Sequence, residues 1–421
     1  MGVPVARPSI TTVSAGPPVP KLYRAGTHRV RAPEETLEQV RRFFPVMGIT
    51  RVADITGLDT IGIPVVLAYR PNSRSIVVAQ GKGLTLAASR ASAVMESIEA
   101  FMAERIDQPL KLASFNDLRF SHQLADVDAL PRTIASRYHP DLPLLWIEGY
   151  ELLSGTSIWV PYEMVHTAKT LPSPAGVECF MGTTNGLASG NHFLEALSHG
   201  LCETVERDAA TLHQLRGTEA MASRRIDVRT VDDPWCMEAL DRLDRADMST
   251  GIWDITTDVA IPAFRCVIAE RSRDAPRLMY GAEGMGCHPN RGIALLRAIT
   301  EAAQARLTLI SGARDNATQQ EYALAREPEL MRRQAAVLAG DADRDFRATP
   351  SFEGDSFQAD VTWELEALRS AGITQAVVVD LTREEFNIPV VRVIVPGLEG
   401  LVDQEVSYRL GRRAMHVASS R

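Results

Sequence analysis

Three stretches of this 421-residue chain carry helical apolar periodicity with carboxylates set into the apolar flank, a pattern that few folds can accommodate. The first is Ser92-Ala-Val-Met-Glu96-Ser-Ile-Glu99. At about 100° per residue, Ser92, Glu96 and Glu99 fall within roughly 60° of one another, and Ala93, Val94, Met95 and Ile98 lie between them. The second runs from Asn191 to Arg207. Glu195 and Glu206 differ there by only about 20°, and Glu203 lies within about 80° of Glu195. Leu194, Leu197, Leu201 and Val205 fill the gaps. In the third, Arg297, Glu301 and Gln304 share a face, but Arg306 lies roughly opposite Gln304, so a straight helix cannot aim all four at one pocket.

Carboxylates are costly to bury unless paired or metal-bound, and like charges this close repel unless a cation sits among them. Hard oxygen ligands suit magnesium, which commonly keeps waters or substrate phosphates as well. For the Ser92–Glu99 stretch alone, a solvated i,i+3 pair explains the pattern too. The three acidic residues of the second helix fit that explanation less well. His199 shares the Glu195 face, yet no second histidine stands at ligand spacing to it, so a packed or hydrogen-bonded role is expected. No serine elbow or triad spacing is present. The five cysteines (Cys179, Cys202, Cys236, Cys266, Cys287) show no CxxC pair and are odd in number, which argues against a disulfide framework or structural zinc. The chemistry on offer is carboxylate plus metal.

Around these helices, Pro33-Glu-Glu-Thr opens a short amphipathic helix, with proline and acidic residues suited to its first turn. Ile63-Pro-Val-Val-Leu-Ala-Tyr and Ser75-Ile-Val-Val-Ala, joined by a turn at Arg70-Pro-Asn-Ser-Arg, read as a hairpin, so the sheet is at least partly antiparallel. Further strands are expected at 145–150, 158–161, 261–269, 376–380 and 390–395. Helices are expected over about 86–105, 192–215 and 291–310, and residues 225–250 read as helical and charged. The stretch 313–353 reads as a polar surface excursion. Residues 1–28 are expected to be a loose arm, 29–400 one domain, and 401–421 a tail. The fold class is α/β (α+β), with mixed, largely antiparallel sheets packed with long helices. No Walker or Rossmann loop is present. A net charge of −8 argues against a nucleic-acid scavenger, and the longest apolar runs are strand-sized, so no membrane span is expected. The expected compartment is the cytoplasm.

At the three helices the chain resembles the YcaO family. The matching stretches are Gln80-Gly-Lys-Gly followed by Ser92–Glu99; Thr184-Asn-Gly-Leu-Ala-Ser-Gly-Asn191 followed by Glu195 and Glu203-Thr-Val-Glu-Arg207; and Glu301-Ala-Ala-Gln-Ala-Arg306. The likeness runs from about Arg29 to about Gly400. It implies a nucleotide fold without a Walker loop, with ATP held among the helices and Mg2+ bridging carboxylates and phosphates. Carried over by position, Glu96, Glu99, Glu195, Glu203 and Glu206 are implied as metal carboxylates, and Glu96, Glu99, Glu206 and Arg207 as catalytic. Lys82, Ser92, Asn191, Arg207, Gln304 and Arg306 are implied as nucleotide contacts, with Arg29 and Thr36 as looser matches. Ala188 stands where some members have a nucleotide-contacting serine.

The resemblance further implies phosphorylation of a peptide amide oxygen, which turns a poor leaving group into phosphate. Azoline-forming members end in a proline-rich tail, whereas no proline follows Pro396 here. They also need a leader-binding module, and too few residues precede the first helix to form one. Both departures resemble the members that work with a TfuA protein, for which thioamide formation is implied. The alternatives are azoline formation with a separate leader-binding partner, and a non-catalytic ATP-binding scaffold. A homodimer is the expected assembly.

Overall fold

The computed structural model describes residues 16–170, 178–216, 222–271, 281–313, 319–324, 327–400 and 408–419. The first 15 residues of the arm, parts of the 313–353 excursion and the start and end of the 401–421 tail lie outside them. The chain divides into two compact units. One comprises Leu22–Ile98 and Arg216–Glu353; the other comprises Met1–Lys21, Glu99–Leu215 and Gly354–Arg421. Three long helices carry the expected motifs: α1 (Leu86–Ala103), α2 (Phe193–Gln214) and α3 (Arg291–Ser311).

The first unit holds two three-stranded antiparallel sheets. Arg51–Asp54, Val65–Tyr69 and Val78–Lys82 form one, and Met248–Asp254, Ala263–Glu270 and Ala282–Cys287 the other. The expected hairpin is present, with its second strand a few residues later than the apolar run suggested. Helix α3 packs on Ala282–Cys287 and Ala263–Glu270, and it also touches the sheet around Val78–Lys82. Glycine permits this closeness. A Cβ on Gly284 or Gly286 would strike the α3 backbone at Ala298 and Ala302, or at Ala294 and Ala298. The fully buried Ala294, Ala298 and Ala302 form the facing stripe. Gly81 stands likewise against the α1 backbone at Ser89 and Ala93.

These two contacts belong to a repeat. The pairs Gln80 and Met285, Gly81 and Gly286, Leu86 and Arg291 (the first residues of α1 and α3), and Glu96 and Glu301 are each separated by 205 residues, 285 less 80 in the first case. In both copies the helix glutamate accepts a hydrogen bond from the matching strand amide: Gln80 N to Glu96 at 3.1 Å and Met285 N to Glu301 at 3.4 Å.

The second unit is built on a six-stranded antiparallel sheet, in the order Leu110–Ala113, Leu144–Glu151, Val377–Asp380, Val390–Ile394, Leu187–Ser189, with Thr156–Pro161 paired to Leu144–Glu151. Helix α2 lies on Leu187–Ser189 and Val390–Ile394, and a helix at Phe357–Ser370 packs on α2. His192 caps α2, its Nδ1 accepting from Leu194 N at 3.1 Å. The described end of the arm is pinned: Lys21 is buried, with its ammonium 2.7 Å from Asp360. The described part of the tail is ordered too. Helix Arg412–Ser419 is tied to α2 by Arg413–Asp208 at 3.0 Å, and Glu399 accepts from Tyr408 Oη, Gly411 N and Ala414 N at 2.9 Å.

Two stability predictions follow from this packing. Gly284→Leu should lower stability by about 1–3 kcal/mol or more, because the backbone behind it cannot retreat. Gly57→Ala, with open space around it, should stay within about 0.5 kcal/mol; thermal unfolding would compare them. The second concerns Glu364, fully buried, whose Oε1 accepts from Ser198 Oγ at 2.6 Å and Cys202 Sγ at 3.3 Å. Burial first, and then the charge of Asp360, push its carboxyl up to about 8. The folded protein therefore binds the extra proton and the unfolded chain does not, so stability should fall as pH rises from about 4.5 to about 8. Denaturant titrations across that range should show a flatter slope for Glu364→Gln.

Candidate active site

The expected site residues divide between the two units. In the second unit α2 places Glu195 and Glu206 on its buried flank, 2% and 1% exposed. The apolar residues between them hold that flank against the sheet, as the periodicity requires. Asn191 Nδ2 reaches Glu195 at 3.5 Å. Arg207 approaches Glu203 at 3.7 Å and Glu206 at 3.6 Å, too far for tight hydrogen bonds. Glu206 Oε2 is buried and accepts no hydrogen bond among the described residues. Glu99, from the last turns of α1, accepts from Ser189 N at 2.8 Å and Ser189 Oγ at 2.6 Å.

In the first unit, Glu96 is exposed and holds Gln80 N. Gln304 Nε2 donates to Gln80 O at 3.1 Å, and Thr308 Oγ1 donates to Gln80 Oε1 at 2.5 Å. Lys82 pairs with Glu301. Arg306 pairs instead with Glu270 at 2.6 Å and Asp59 at 3.5 Å, in keeping with its place on the helix face opposite Gln304. Ser92 is half-buried on α1. Thr36 is buried, its hydroxyl donating to Ala32 O at 3.1 Å. Arg29 exchanges two backbone hydrogen bonds with Tyr23 at 2.9 Å. Sequence reasoning missed Ser189, the direct neighbour of Ala188, as the holder of Glu99. It also missed the Lys82–Glu301 pair, which no spacing rule connects across 219 residues.

On α2, Glu195, Glu203 and Glu206 offer carboxylate oxygens, the ligand type that a hard divalent cation takes, and Glu206 Oε2 has no hydrogen-bond partner among the described residues, a state that costs free energy unless something positive meets it. All five cysteines are buried. Burial pushes the Cys236 thiol well up and the Cys266 thiol to about 12, as inert packing residues require. Among the described residues no helix is long and apolar enough to cross a membrane.

Residues 80–399 match the family described as YcaO cyclodehydratase, ATP- and Mg2+-binding. The chain belongs to the YcaO family, and its cofactors are the family's, ATP and Mg2+. An uncharacterized protein in the tfuA 3′ region of Rhizobium leguminosarum bv. trifolii is 38% identical over 398 residues, 92% of each chain. The YcaO structure from Methanopyrus kandleri bound with AMPPCP and Mg2+ has a TM-score of 0.73 at 23% identity, covering 94% of this chain and 99% of that one. A heterocyclase in complex with substrate and cofactor has a TM-score of 0.72 at 22% identity. The match covers 91% of this chain but only 54% of the heterocyclase. These structural likenesses establish the mixed α/β fold with antiparallel sheets.

Calorimetric titration of ATP should show affinity only with magnesium present. Glu206→Gln should weaken magnesium-dependent binding at least tenfold. It should leave the metal-free protein no less stable, since removing a charge from a crowded cluster relieves repulsion. Equal ATP affinity with and without magnesium would refute the metal assignment.

Proposed function

We propose that this chain phosphorylates a backbone amide oxygen of a ribosomally made peptide or protein, and that the activated amide becomes a thioamide with the help of a TfuA-like partner. The observation that carries the sulfur reading is the 38%-identical relative encoded beside tfuA. The buried acidic flank of α2, with the unmatched oxygen of Glu206, supports the phosphoryl-transfer half.

When bound, magnesium ATP supplies a transferable phosphoryl group and the positive charge that screens it. In the second unit, Glu99, Glu195, Glu203 and Glu206 are the proposed metal carboxylates, and Asn191 and Arg207 the proposed phosphate contacts. In the first unit, Glu96 is proposed as a metal carboxylate, and Lys82, Ser92, Gln304, Arg306, Arg29 and Thr36 as nucleotide contacts. Arg207 sits at 3.6–3.7 Å from Glu203 and Glu206, which places its charge beside two of the proposed metal carboxylates. Ser189 fixes Glu99 through two hydrogen bonds and so preorganises that oxygen.

The chemistry balances as follows. The amide oxygen bonds to the γ-phosphorus, the bond to ADP breaks, and the amide nitrogen gives up its proton. Hydrosulfide then bonds to the imidate carbon. The C–O bond breaks, phosphate leaves with the electron pair, and the sulfur's proton ends on nitrogen.

The heterocyclase likeness favours a second reading, in which a neighbouring Cys, Ser or Thr attacks in place of hydrosulfide and an azoline forms. A non-catalytic scaffold is the third reading, and the five acidic positions weigh against it. Incubation with ATP, magnesium, sulfide, a candidate peptide and the partner encoded nearby separates them. Oxygen-to-sulfur exchange adds about 16 Da, whereas azoline formation loses about 18 Da, the arithmetic of an activated amide meeting either nucleophile. A gain of about 16 Da is expected; water loss without sulfide would replace the thioamide reading with the azoline one.

A further inference from the structure

The two hairpin-and-helix copies allow a comparison within one chain. The 205-residue offset pairs Gln80 with Met285, Glu99 with Gln304 and Ala103 with Thr308. Both strand positions are buried, Gln80 at 8% and Met285 at 6% exposure. Both backbone amides hold a helix glutamate. At this point the scaffold asks only for a backbone N–H and a buried side chain, and a methionine meets that demand in the second copy. The polarity of Gln80 therefore has another use. Gln304 Nε2 donates to Gln80 O at 3.1 Å and makes a longer contact of 3.5 Å with Gln80 Oε1. Thr308 Oγ1, on the next turn of α3, donates to the same Oε1 at 2.5 Å. Thr308 is itself buried, and its counterpart Ala103 carries no hydroxyl.

These contacts orient the Gln304 carboxamide. The two ends of a carboxamide have nearly the same shape and are told apart by their partners. A backbone carbonyl can only accept, so the end facing Gln80 is the nitrogen, and the oxygen is the end that Gln304 can offer a ligand. That oxygen cannot donate to a phosphate; it can take a hydrogen or meet a cation. Five carboxylates are already proposed for magnesium, and charged oxygens suit a hard divalent ion better than a neutral amide does. Glu99, the counterpart of Gln304, is one of the five. The second copy thus keeps the outline of the carboxylate and drops its charge. That exchange suits a neutral hydrogen donor, and the donors of ATP are on its nucleoside.

We propose that Gln80, together with Thr308, is a positioning residue that holds the Gln304 carboxamide with its nitrogen to the strand, so that its oxygen accepts a hydrogen from the nucleoside of ATP. The proposal rests on the reading of Gln304 as a nucleotide contact and adds which end of the amide works. The donor is a ribose hydroxyl or the adenine amine.

Calorimetry of the full chain with magnesium tests it. The ligands are ATP, 2′-deoxy-ATP, 3′-deoxy-ATP, purine riboside triphosphate, which lacks the adenine amine, and inorganic tripolyphosphate, which lacks the nucleoside. Gln80→Met installs the residue of the other copy, so the fold should survive; thermal unfolding checks this, and Thr308→Val serves if it does not. Gln80→Met, Thr308→Val and Gln304→Ala should each weaken ATP about five- to tenfold, the range of a neutral hydrogen bond, and leave tripolyphosphate within about twofold. Thr308→Ser keeps the hydroxyl and should bind ATP as the wild type does. One of the three nucleoside analogues should bind the wild type as weakly as ATP binds Gln304→Ala, and should lose nothing further in that variant, which names the donor. If none does, the proposal falls. Equal losses for ATP and tripolyphosphate would put Gln304 on the phosphates or their magnesium and overturn it too. ATP weakened in Gln304→Ala but unchanged in Gln80→Met and Thr308→Val would keep the nucleotide contact and remove the positioning role. ATP affinity unchanged in Gln304→Ala would remove the contact itself.

Discussion

A carboxylate taken out of water must receive a proton, hydrogen bonds or a cation, and much of this structure answers that demand. Transfer of an ion into a protein interior costs several kcal/mol even after relaxation. Helix α2 carries Glu195 and Glu206 at 2% and 1% exposure. It stays docked because Leu194, Leu197, Leu201 and Val205 are buried beside them, each contributing about 1.5–3 kcal/mol of apolar burial. The apolar flank thus fixes where the acidic groups stand. Elsewhere the same demand is met differently. Glu364 keeps its proton, Asp208 has Arg413, Glu399 takes backbone amides, and Glu99 takes both donors of Ser189. Glu206 and Glu364 each have a buried oxygen without a hydrogen-bond partner among the described residues, and of the two only Glu364 has its carboxyl pushed up to about 8.

Close approach of helix to strand is the second constraint. With glycines at 81, 284 and 286, the strand backbone comes near enough for Glu96 and Glu301 to reach a strand amide. The same 205-residue offset carries Glu99 to Gln304. One copy of the hairpin-and-helix element therefore presents a charged side chain where the other presents an amide that can donate, as Gln304 does to Gln80.

Much of this was legible in the sequence because helical periodicity over 18–22 residues is a strong signal. All three long helices lie where the pattern put them, and α2 extends one residue from its cap at His192. Short elements were harder. Leu187–Ser189 has three residues, and Ala282–Cys287 is one-third glycine, which reads as a loop although the glycines serve helix packing. Phe357–Ser370 mixes buried Asp360 and Glu364 into its apolar side, which blurs its amphipathic signature. Residues 225–250 read as one charged helix, but the chain leaves Pro234–Arg245 to begin the strand Met248–Asp254. In the site, the glutamates were visible because they share a helix face. Ser189 was not, because what matters about it is the Glu99 carboxylate that only the folded chain brings near.

The described end of the tail has a mechanical consequence. Helix Arg412–Ser419 is attached to α2 through Arg413 and Asp208, and Asp208 stands two residues beyond Glu206. Tension applied to this helix would be borne by that ion pair and by the hydrogen bonds of Tyr408, Gly411 and Ala414 to Glu399. A bead, surface or bulky fusion attached after this helix would therefore load α2 two residues from Glu206, one of the proposed metal carboxylates.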